Sequence, residues 1–178
     1  YGLAYGMESY GLAQRLGIPV EEAAGILKAY FEGFPNVRAY MDRVVAEARD
    51  RGYTETLFGR RRLIPELQSS RYQIRAAGER QAMNAGIQGL AADIFKVALV
   101  RLDARLARAG PAGPGGHQPG LASRLVLQVH DEVILEVPPD EEEAAAAAVA
   151  EAMTGAADLR VPLTINVSWG ATWADAKG

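Results

Sequence analysis

A chain of 178 residues, 49% hydrophobic and 23% charged, has the balance of about one globular domain, and nothing in it approaches the run of about 20 apolar residues that a membrane span needs. Cysteine is absent, which excludes disulfides and thiolate metal sites. The net charge of −3 argues, as an average, against a nucleic-acid partner, but residues 60–80 hold six Arg against two acids, whereas 136–158 hold seven acids and no Lys or Arg.

Taken in chain order, residues 8–17 predict a short helix stopped by Gly17. A second helix is expected from near Pro19, with Glu21 and Glu22 in its first turn, to near Gly33. A third should run from Pro35 to Gly52, with Val37, Tyr40, Met41, Val44, Val45 and Ala48 repeating along one face. Residues 53–67 predict a β-hairpin turning at Gly59–Arg60. A long helical region is expected over 72–108, broken or kinked at Gly86 and Gly89 because glycine weakens helix interiors. Residues 110–120 (GPAGPGGHQPG) predict a flexible loop. The apolar runs LVLQV and VILEV flank His130, Asp131 and Glu132, the pattern of a second hairpin with a polar tip. An Ala-rich helix should span 140–153, its acids in the first turn where the helix dipole favours them, and VPLTINVSW (161–169) reads as a closing strand. The expected class is α+β: helices, then an antiparallel sheet packed against helices.

Three groups of residues carry candidate chemistry. A carboxylate held on a rigid hairpin, as at Asp131, is a good hard ligand for Mg²⁺; an ordinary polar turn explains the same triplet. A His-Asp phosphohydrolase site would need further histidines, and the other one, His117, lies in the Gly/Pro loop. Arg80, Asn84 and Gln88 fall at i, i+4 and i+8, a polar stripe on a continuous helix. Such donors suit the acceptors of the DNA minor groove, and a solvent-facing stripe is the alternative. Tyr1, Tyr5 and Tyr10 beside Gly2, Gly6 and Gly11 can stack on bases at close backbone approach, or can form a helix contact.

In order along the chain, YGLAYGM (1–7), TLFGRRRLIPEL (56–67), ERQAMNAGIQGLAAD (79–93), LQVHDEVILE (127–136) and SWGATWADAK (168–177) resemble successive segments of family A DNA polymerases of the bacterial type. They correspond to the end of the nucleotide-binding fingers helix (motif B), the hairpin after the fingers helices, the palm helices at the primer–template minor groove, the metal-binding palm hairpin (motif C) and the C-terminal end. The resemblance implies that 1–75 belong to the fingers and 76–178 to the C-terminal part of the palm. Asp131 would bind two catalytic Mg²⁺ ions, with Glu132 as an accessory acid and His130 at the primer terminus. Arg80, Asn84 and Gln88 would contact the primer–template, and Arg60, Arg61 and Arg62 would lie near the DNA. Tyr5, with Gly6, would pack beside the templating base, and Tyr1 against the sugar of the incoming dNTP.

The implied reaction is template-directed addition of dNTPs to a primer 3′-OH in replication and repair, by a monomeric enzyme in the cytoplasm at the nucleoid. The second metal-binding Asp and the triphosphate-holding Lys and Arg would precede Tyr1. The chain, which opens without Met, is therefore expected to be a fragment inactive alone. A non-catalytic DNA-binding palm remnant is the alternative. Three positions depart from the family pattern: Glu8 stands where Ser is common, Gly86 where Pro is usual, and Leu90 where Ser or Thr is usual.

Overall fold

The computed structural model describes residues 2–107 and 120–177, so Tyr1 and nearly all of the expected 110–120 loop lie outside the described residues. The chain is α+β and divides into two compact units, Tyr1–Ala91 and Ala92–Gly178.

The first unit opens with a 3₁₀ turn, Gly2–Tyr5, followed by helices α1 (Ser9–Leu16), α2 (Val20–Gly33) and α3 (Pro35–Arg51). Gly17 and Gly52 close α1 and α3 with φ of 68° and 78°, a left-handed conformation that costs a glycine little. The face expected on α3 is the one that packs: Met41, Val45 and Ala48 are buried. Val45 and Ala48 share a core with Ile64, Leu67 and Ala82. Leu12, Ala13 and Ala23 make a second small core between α1 and α2.

Strands β1 (Tyr53–Glu55) and β2 (Arg61–Leu63) form the first hairpin, with Thr54 opposite Arg62. Its tip lies at Leu57–Phe58, two residues before the expected turn. Thr56 and Arg60 close the loop: Thr56 N–H donates to the Arg60 carbonyl at 2.9 Å, and Arg60 N–H to Thr56 Oγ1 at 3.2 Å. Gly59 supplies a φ of 81° on the return side of this loop, not at its apex.

Helix α4 (Tyr72–Leu106) is continuous, and the break expected at Gly86 and Gly89 does not occur. Both glycines serve close approach. A Cβ on Gly86 would lie 3.0 Å from the Tyr40 hydroxyl, and one on Gly89 would lie 2.7 Å from Thr56 Cγ2. The propensity cost of about 1 kcal/mol per glycine is small beside the packing that holds this helix. Gly86 also keeps a backbone N–H that a proline in its place would lack.

In the second unit, β3 (Arg124–Val129) and β4 (Glu132–Glu136) pair antiparallel, with an irregularity between Leu125 and Leu127. Their apolar face, Leu125, Val133 and Leu135, packs on Leu102 and Leu106 of α4 and on Ala148 and Ala152 of α5 (Glu142–Thr154). Leu102 is fully buried, and such burial contributes about 1.5–3 kcal/mol. The acids ahead of α5 begin as a 3₁₀ turn, Pro139–Glu141.

The closing strand expected over 161–169 is absent: these residues carry no ladder, and the chain runs on to α6 (Trp173–Lys177). Leu163 and Ile165 are half-buried in alternation, but Val161, Val167 and Trp169 are exposed, and Pro162 has no N–H to donate. A period-two pattern assigns faces to a strand without supplying its partner.

Glu141 ties the start of β3 to the turn before α5. Its carboxylate accepts from the Ser123 hydroxyl at 2.6 Å and from the Ala122 and Ser123 N–H groups at 2.8 Å each. The Ser123 hydroxyl, then the Ala122 N–H, hold its pKa below the ordinary value. A depressed folded-state pKa means that this tie is fully present above the ordinary glutamate pKa of 4.5 and is lost as the pH falls through the lower folded-state value. Glu141→Gln should therefore speed amide exchange at Ala122 and Ser123 relative to wild type at pH 7. That difference should shrink in acid, and a difference independent of pH would refute the role of the carboxylate charge.

Candidate functional site

In the first unit the turn that carries Tyr5 and Gly6 sits against α4. Gly6 adopts a φ of 79°, and a Cβ there would lie 2.8 Å from Met83 Sδ. Any side chain at this position meets both backbone strain and a collision, so glycine lets the turn lie close to the helix. Asn84 Nδ2 donates to the Tyr5 carbonyl at 3.3 Å, and Arg80 Nη1 lies 3.8 Å from Glu8 Oε1. Because α4 is unbroken, Arg80, Asn84 and Gln88 follow one another on successive turns. Arg80 and Gln88 are exposed, Asn84 is half-buried, and Asn84 Oδ1 is buried without a hydrogen-bond partner among the described residues. The structure thus brings Tyr5, Gly6, Arg80 and Asn84 together, with Gln88 one turn further along α4.

The basic stretch is largely engaged within the protein. Arg61 pairs with Glu55 across the first hairpin at 2.5 Å and lies over the Tyr53 ring. Arg62 donates to Gln81 at 3.2 Å, Arg75 to the Ser69 carbonyl at 3.1 Å, and Arg49 meets Glu79 at 2.5 Å.

In the second unit His130 and Asp131 form the two-residue tip of the β3–β4 hairpin, and Glu132, paired with Val129, opens β4. His130 has a φ of 52°, the left-handed conformation that a tight hairpin turn demands. Gln128 Nε2 donates to the His130 carbonyl at 2.9 Å and braces the turn. Glu132 is held by Lys177 at 3.4 Å, and Lys177 in turn lies over the Trp173 ring. Asp131 is exposed, and its carboxylate has no ion-pair or hydrogen-bond partner among the described residues. No group of three or more His, Asp or Glu side chains gathers as a metal cluster among the described residues. The tip offers one free carboxylate with hard oxygen donors. That fits Mg²⁺, which is commonly held by one or two carboxylates together with substrate phosphates and water.

Glu8, Met83 and Lys177 touch these residues and were not legible beforehand as partners, since nothing local in the sequence pairs them with Arg80, Gly6 or Glu132. Among the described residues no helix is long and apolar enough to cross a membrane.

Residues 1–175 match the family described as DNA polymerase family A, and the chain belongs to that family. It is 46% identical over 177 residues to a protein named DNA polymerase I from Bacillus caldotenax, covering 99% of this chain and 19% of that one. It is 50% identical over 173 residues to a DNA polymerase I from Mycobacterium bovis, covering 97% of this chain and 18% of the relative. The fold matches a solved structure described as the POL domain of Pol1 from M. smegmatis in complex with DNA primer-template and dNTP. The TM-score is 0.92 at 47% identity, over all of this chain and 30% of the other. The chain thus spans about a fifth of the length of these curated relatives.

Proposed function

We propose that this chain is the fingers-to-palm part, 1–75 and 76–178, of a DNA-directed DNA polymerase that adds dNTPs to a primer 3′-OH on a template in replication and repair. The observation that carries this reading is the free Asp131 carboxylate at the braced hairpin tip of a chain that matches family A over residues 1–175. The 19% coverage of a relative supports a role within a longer polypeptide. In this reading that polypeptide is monomeric and acts at the nucleoid, and these residues are inactive alone.

In this reading Asp131 holds Mg²⁺. The chemistry such ions supply is activation of the 3′-oxygen and charge stabilisation on the departing pyrophosphate. Glu132, tied back by Lys177, adds an acid beside Asp131, and His130 presents its imidazole to the primer terminus. Arg80, Asn84 and Gln88 offer donors to minor-groove acceptors that every base pair carries, so they sense the groove without reading sequence. Tyr5 and Gly6 border the templating base, and Tyr1 borders the sugar of the dNTP.

Primer extension by the full-length protein tests the reading. Template-directed, Mg²⁺-dependent incorporation is expected. Binding of primer–template without extension would favour a non-catalytic palm remnant, and nucleotide hydrolysis without DNA would favour a phosphohydrolase. Within the same assay, Gln88→Ala should weaken DNA binding by about 1–3 kcal/mol, and by the same amount on templates of different sequence. A loss confined to particular base pairs, or no loss, would leave the stripe a solvent-facing one.

A further inference from the structure

Glu8 occupies the N-cap position of α1, with an extended backbone (φ −85°, ψ 165°), and its side chain makes no capping hydrogen bond. That position favours a short side chain such as Ser, whose oxygen can accept from the first-turn N–H groups. The longer Glu8 carboxylate instead reaches the Arg80 guanidinium on α4, 3.8 Å away. The turn between them is fixed to the same helix by Asn84 on the Tyr5 carbonyl and by Gly6 against Met83, so the carboxylate is held beside Arg80. Both side chains remain largely open to solvent, Arg80 at 47% and Glu8 at 70% exposure, so a ligand can reach the pair.

We propose that Glu8 is an internal competitor for Arg80 that sets how tightly this protein grips primer–template. The inference rests on the reading of Arg80 as a DNA contact. In the DNA-free protein the Glu8 carboxylate neutralises the guanidinium. On binding, acceptors of the DNA take over Arg80, and the ion pair with Glu8 has to be given up. An exposed ion pair is weak, so the exchange is readily reversible, and the pair lowers affinity without blocking binding. Because the released Glu8 carboxylate takes up a cation as Arg80 displaces one from the DNA, net counterion release is smaller, which flattens the dependence of affinity on salt.

The test is titration of a labelled primer–template with full-length protein at several salt concentrations, for wild type, Glu8→Gln, Glu8→Ser, Arg80→Ala and the Glu8→Gln/Arg80→Ala double variant. Glu8→Gln should bind about two- to five-fold more tightly at low salt, the advantage fading as salt rises. The slope of log K against log salt should steepen by up to about 0.9. Glu8→Ser should do the same, and Glu8→Gln should add nothing once Arg80 is Ala. Unchanged affinity and slope in Glu8→Gln would overturn the proposal. So would a gain confined to Glu8→Ser, which would come from helix capping, or a gain that persists without Arg80, which would come from general charge. If Arg80→Ala itself leaves DNA binding intact, the reading of Arg80 as a DNA contact fails. If Arg80→Ala weakens binding while Glu8→Gln changes nothing, only the competition fails.

Discussion

Asp131→Asn in the full-length protein is expected to lower single-turnover incorporation by roughly 100- to 10,000-fold while primer–template affinity changes only a few-fold. The estimate takes the several kcal/mol of charge stabilisation that a catalytic metal supplies, at about 1.4 kcal/mol per tenfold in rate. Asn keeps the size of the side chain and removes its charge. The tip should hold its shape, because the turn is braced through Gln128 and the Val129–Glu132 pair, and the strands below rest on Leu102. Glu132 starts β4 beside the tip and is paired with Lys177 at 3.4 Å, so it occupies a different position from Asp131. Incorporation near the wild-type rate in a variant that binds DNA normally would sink the assignment of Asp131. Equal losses in affinity and rate would point to a damaged hairpin instead.

Tyr1→Phe is expected to change the discrimination between dNTPs and dideoxynucleotides by on the order of a hundred-fold or more, with little effect on dNTP use. A dNTP can turn its own 3′-OH toward its triphosphate and so help hold a reactive geometry. A dideoxynucleotide lacks that hydroxyl and leaves the site short of one donor. The phenol of a tyrosine lying against the sugar can donate the missing hydrogen bond, and a phenyl ring cannot. The protein with Tyr1 should therefore accept dideoxynucleotides almost as readily as dNTPs, and Tyr1→Phe should reject them. The measurement is kcat/KM for dTTP and ddTTP on one primer–template in both proteins. Strong rejection of ddTTP by the protein with Tyr1 would show that this residue does not face the sugar.

The helix ends at Gly17 and Gly52, the buried face of α3 and the second hairpin with its polar tip were legible from sequence, because each depends on chemistry within a few residues. The first hairpin was legible except for its tip, which falls on Leu57–Phe58. Left-handed caps call for glycine, apolar residues three and four apart share a helix face, and polar residues between two β-rich runs mark a tip. The ordered series of family-like segments was legible for the same reason, and the match over 1–175 bears it out.

Tertiary structure alone decided the rest. α4 runs on past Gly86 and Gly89, which pass close to the distant Tyr40 and Thr56, an approach that local propensity does not reveal. The stretch 161–169 has the alternation of a strand and no ladder, because alternation sets faces while pairing needs a second chain segment at the right distance. The partners of the candidate residues, Glu8 for Arg80, Tyr5 for Asn84 and Lys177 for Glu132, are joined by folding across long stretches of chain. Local patterns reveal which residues carry charge and donors. Only the fold determines which of those groups are already satisfied and which, like Asp131, remain free to act.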